Sequence, residues 1–123
     1  MPNRIAVAAV ASLLLAATYS PLPARADGSE VTLTGEIVDL SCYLTGGKKG
    51  RAHRACAKRC ADRGLPIGIL TEDGTVYLLL EDHADEDPYE QAKKLAGDNA
   101  QIKGKKFAGR GLASVLVHSV EKN

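Results

Sequence analysis

Residues 5–17 form an unbroken run of Ile, Ala, Val and Leu with one Ser, and the nature of that run decides how much of the chain has to fold. Arg4 puts a positive charge before it. Pro21, Leu22 and Pro23 break it, and Ala24-Arg25-Ala26 follows with small residues on either side of Arg25. This is the three-part layout of a secretory signal, with cleavage expected after Ala26. The apolar run is well short of the roughly 20 residues that span a bilayer. No cysteine follows it closely and no twin arginine precedes it, so no stable membrane anchor and no lipid anchor are expected. Residues 1–26 are therefore read as a signal peptide and 27–123 as one exported, periplasmic or secreted, soluble domain.

Loss of Arg4 and Arg25 leaves fourteen basic residues against fifteen acidic ones, a net charge of −1. A near-neutral chain is not a general binder of nucleic acid or membrane surfaces. With one Phe and no Trp in the whole chain, the domain can bury one modest core and would gain from a covalent staple or a metal.

Along residues 31–40, Val31, Leu33 and Ile37 fall on one face and Thr32, Thr34 and Glu36 on the other. That alternation predicts a half-buried strand, with Gly35 marking a bend or bulge. Residues 45–50, with three glycines and two lysines, read as a loop. Residues 50–63 carry Ala52, Ala55, Ala57 and Ala61 among Arg and Lys with no β-branched residue, which predicts a helix ended by Gly64. Residues 66–70 and 76–80 are short apolar runs around Asp73-Gly74, a β-hairpin signature. Residues 81–87 are an acidic loop. Asp87-Pro88-Tyr89-Glu90 then predicts a helix to about Ala96, with Asp87 as cap, Glu90 closing a capping box, and Ala92 and Leu95 facing the core. Residues 100–107 and 112–120 read as the last two strands, joined by Gly109-Arg110-Gly111.

The expected fold is mainly β with two short helices, an α+β arrangement of five strands closed into a small barrel. With Gly35-Glu36-Ile37-Val38-Asp39 and Ile102-Lys103-Gly104-Lys105 as strand segments, the layout resembles that of small periplasmic OB-fold proteins. The resemblance implies a five-stranded barrel with a helix between its third and fourth strands. The helix at 50–63 departs from that pattern as an insertion after the first strand.

The insertion holds the chemistry. Three cysteines, Cys42, Cys56 and Cys60, leave an odd thiol in an exported protein, where cysteines usually pair. His53, Cys56 and Cys60 stand at i, i+3 and i+7 of the expected helix, within an arc of roughly 60°. Cys42, at the end of the first strand, can meet this stripe if the helix folds back. Cys and His donors suit Zn²⁺, and thiolates suit Cu⁺. His53 and Cys60 are about 10.5 Å apart along a helix axis, so one ion is expected to use Cys42, Cys56 and Cys60, or Cys42, His53 and Cys56.

Two other readings stay open. A disulfide from Cys42 to Cys56 or Cys60 would staple a binding module and leave the third thiol buried or bridging two chains. A redox pair of Cys56 and Cys60 would need C-x-x-C more than the C-x-x-x-C present. That C-x-x-x-C is similar to a run in some copper chaperones and copper-storage proteins. Periplasmic OB-fold copper carriers, however, use Met and Trp with His, and the only Met here leaves with the signal.

Lys48, Lys49, Arg51, Arg54, Lys58, Arg59 and Arg63 surround the cysteines. They are expected to form a solvated face, to lower the thiol pKa values, and to offer an acidic protein a docking site. Glu81, Asp82, Asp85, Glu86 and Asp87 lack calcium-loop spacing but offer a countercharge to that face. His83 is expected to be solvated, His118 to be packed or at an edge, and Tyr43 to be core or a hydrogen-bond partner of the site. No nucleophile elbow, phosphate loop or catalytic carboxylate pair is present.

Overall fold

The computed structural model describes residues 28–123; the expected signal and its cleavage point lie outside the described residues. Five strands close a barrel in the order β1-β2-β3-β5-β4. They are β1 (Ser29–Asp39), β2 (Ile67–Thr71), β3 (Val76–Leu80), β4 (Asn99–Phe107) and β5 (Ser114–Lys122). All neighbours are antiparallel except β3 and β5, which run parallel over three residue pairs. A helix, α3 (Asp87–Lys94), sits between β3 and β4, as the OB-like layout requires.

β1 belongs to both halves of the barrel. Ser29–Glu36 pairs with β4, and Gly35–Asp39 pairs with β2. Gly35 lies in both ladders. A Cβ there would sit 2.1 Å from the carbonyl oxygen of Leu70, so the bend expected at Gly35 is a close backbone approach that no larger residue fits. Ile37 is fully buried, and Val31 and Leu33 pack against the same cluster, as their alternation predicts. The β2–β3 hairpin turns at Gly74, φ +85°. There the Asp73 carboxylate accepts from the Thr71 hydroxyl (2.5 Å) and the Thr75 amide (3.0 Å).

The core is built from Ile37, Ile67, Ile69, Leu79, Ile102, Val115 and Val117, all buried. The helices meet it through small residues: Ala57 and Ala61 from one, Ala92 and Ala96 from α3 and the turn after it. Cβ-sized contacts let both helices lie close to the barrel end.

Among the described residues there are three α-helices, not two. The additional one, α1 (Leu40–Gly46), follows β1 directly, so Cys42 is helical and not the end of a strand. The helix expected over residues 50–63 begins as a single 3-10 turn, Arg51–His53, and continues as α2 (Arg54–Asp62). At α3 the capping pattern also differs. Pro88 is at the start, but Asp87 lies inside the helix, no side chain caps it, and Glu90 binds Lys93 Nζ at 2.8 Å. β4 and β5 lose register at Lys103/Gly104, where the pairing jumps from Ser119 to Val117 and skips His118.

Replacing Gly35 by Ala should force the β1–β2 ladder apart and lower unfolding free energy by about 2–3 kcal/mol. Chemical denaturation measures this, and an unchanged midpoint would contradict the two-ladder role of Gly35.

Candidate metal centre

Asp39 ends β1 fully buried, with 1% of its surface exposed. Its Oδ1 accepts from the Ser41 amide (3.1 Å) and its Oδ2 from the Cys42 amide (3.3 Å). This is N-capping, and it explains why a seven-residue helix forms and why Cys42 stands in its first turn. The chain leaves α1 through Gly47 and returns to the barrel at Gly50, whose amide donates to Glu36 Oε1 (2.5 Å). Two carboxylates of β1 thus hold both ends of the segment between strand and α2.

A third carboxylate holds α2 itself. Asp98, 4% exposed, is paired with the Arg54 guanidinium, with Lys58 Nζ at 3.6 Å and with Lys122 Nζ at 3.8 Å. The backbone carbonyl of Asp98 accepts from the Ile37 amide (3.0 Å). The helix bearing Cys56 and Cys60 is therefore tied by charge to the same point of the barrel that β1 occupies.

Folding back in this way brings the donors together. One atom each of Cys42, His53 and Cys56 lie mutually within 4.8 Å, all three residues half-buried. This is one of the two ligand cores expected from spacing. Cys60 joins Cys42 in a separate group, with Asp39, again within 4.8 Å. His53 Nε2 is buried with no hydrogen-bond partner among the described residues, and lies 3.8 Å from Asp39 Oδ2. A buried polar nitrogen left unpaired costs about 1–3 kcal/mol. All three cysteines are free thiols.

The electrostatics run opposite to the expectation from the basic residues. The Cys42 thiol donates to the Asp39 carboxylate, and this bond, with burial and the nearby negative charge, pushes its pKa up to about 12. Burial first, then Asp39 and Cys56, raise Cys60 as well. The surrounding cations do not offset this. Arg54 and Lys58 are engaged by Asp98, and Lys48, Lys49, Arg51, Arg59 and Arg63 form no ion pair with any described residue.

The acidic loop does not pair with the basic segment. Asp82 and Asp85 make local turn bonds to the amides of Ala84 and Asp87. His83 is exposed. His118, the residue the β4–β5 register skips, is exposed beside Glu30 and Asp82 at 3.8 and 3.9 Å. Tyr43 packs on Val38, Leu40 and Leu70 as part of a small second core. Asp39 is the site residue that spacing arguments missed. Its signal is an acidic residue immediately before Leu-Ser-Cys, the position of a helix cap.

Among the described residues, no helix is long and apolar enough to cross a membrane. Comparison with family models, curated proteins and solved structures finds no match to the chain.

Asp39→Asn keeps a capping oxygen but removes the charge. The Cys42 titration should move down from about 12, followed by ultraviolet thiolate absorbance; an unmoved titration would contradict Asp39 as its cause.

Proposed function

We propose that this chain is an exported, single-domain metal-binding protein of the periplasm, with a role in metal handling. Cys42, His53 and Cys56 hold a thiophilic ion, Zn²⁺ or Cu⁺, and Cys60 and Asp39 stand beside them. The observation that carries this reading is the convergence of two thiols and one imidazole nitrogen within 4.8 Å, with His53 Nε2 buried and without a hydrogen-bond partner among the described residues. Donors around one zinc are bonded at about 2.0–2.3 Å, and small side-chain rotations close this group onto such an ion. A cation would also offset the buried Asp39 carboxylate, which no Lys or Arg of the described residues pairs.

The redox-enzyme reading is less well supported. A reactive thiol needs a depressed pKa, whereas Cys42 and Cys60 are raised. The disulfide reading is favoured by one observation, the proximity of Cys42 to Cys56 and to Cys60. It predicts an oxidised chain that takes up no metal.

Cys56→Ser should weaken metal binding by about 100-fold or more, and His53→Ala by about 10–100-fold. Both are measured by competition with a chromophoric chelator, and unchanged affinity in Cys56→Ser would overturn the reading. The ion must displace thiol protons. Apparent affinity should therefore fall about tenfold per thiol proton for each unit the pH is lowered. A pH-independent affinity would mean that the thiols are not the ligands.

A further inference from the structure

We propose that Asp39, Cys42 and Cys60 form a second metal site, and that a second divalent ion of the zinc class shares the Cys42 thiolate with the first. The inference rests on the reading of Cys42, His53 and Cys56 as an ion site and extends it.

The donors fall into two groups that share Cys42. His53, in the 3-10 turn that precedes α2, and Cys56, in the first turn of α2, gather with Cys42; Cys60, one turn further along α2, gathers with Cys42 and Asp39. Cys42 is common to both because it comes from α1, which β1 delivers against the side of α2. Each group then has its own terminal thiol and one non-sulfur donor, with one shared sulfur between them. A thiolate has lone pairs enough to bridge two ions, and paired ions in two-metal sites lie about 3.5–4 Å apart.

Charge points the same way. With its thiols deprotonated, the cluster of three cysteines and Asp39 carries four negative charges. One divalent ion leaves two of them uncompensated beside a carboxylate that is 1% exposed. Two cations of α2, Arg54 and Lys58, are committed to Asp98. Two divalent ions bring the cluster to neutrality. The donor types select the ion: a carboxylate oxygen with two sulfurs suits Zn²⁺, whereas Cu⁺ prefers soft donors alone.

The test is a zinc titration of the exported chain followed by native mass spectrometry, with X-ray absorption of the zinc-saturated protein. Two zinc ions per chain and a metal–metal scattering path are expected. Cys60→Ser should saturate at one ion with its far-ultraviolet circular dichroism unchanged, and Cys42→Ser should lose both tight ions. Saturation at one ion in the wild type, or two ions retained in Cys60→Ser, would overturn the second site and leave the first standing. No thiol-dependent zinc at all in the wild type would overturn the first reading together with it.

Discussion

A buried carboxylate at the end of the first strand organises this protein. Asp39 caps α1, accepts a hydrogen bond from the Cys42 thiol and approaches the imidazole of His53. Burying a carboxylate without a cation is expensive, and here its partners are amides and a thiol, with the His53 imidazole 3.8 Å away. The same arrangement that makes the apo pocket hold its thiol protons makes it receptive to a positive ion. An ion bound there would replace those protons and offset the carboxylate in one step, so that proton release and metal uptake would be two sides of one equilibrium.

The barrel makes this pocket in a definite place. β1 is shared by both halves of the sheet through Gly35, and its last residues are enclosed on both faces. Inserting α1 and α2 immediately after it places the cysteines against a rigid strand end. Asp98, immediately before β4, fixes α2 through its two cations Arg54 and Lys58, with Lys122 of β5 beside them. Thus the two arms of the site come from one short stretch of sequence, but their spacing is set by β1 and β4, which lie far apart in the chain.

Much of the scaffold was legible because local chemistry and global fold agree there. Alternation along residues 31–37, the Asp73-Gly74 turn and the Ala-rich helix ended at Gly64 each report a local preference that packing leaves in place. α1 was not legible as a helix. It has only seven residues, and its formation depends on the Asp39 cap and on Leu40 packing with Val38 and Leu70. Helical spacing put His53, Cys56 and Cys60 on one face; that Cys42 meets His53 and Cys56 in one group depends on the chain folding back through α1, and the spacing left the set of Cys42, Cys56 and Cys60 equally open. The role of Asp39 was hidden by its position in a strand. The effect of the basic residues was misjudged because nearness in sequence is not nearness in space. Arg54 and Lys58 turn to Asp98, a partner some forty residues onward, and the charge that the thiols meet is negative.

The most direct test of this account is the composition of the protein as the cell makes it. Purified without chelator, it should carry zinc or copper, with three thiols titratable once the metal is removed and the chain unfolded. A metal-free chain that is two hydrogens lighter, with one internal disulfide and no metal uptake after reduction, would contradict it.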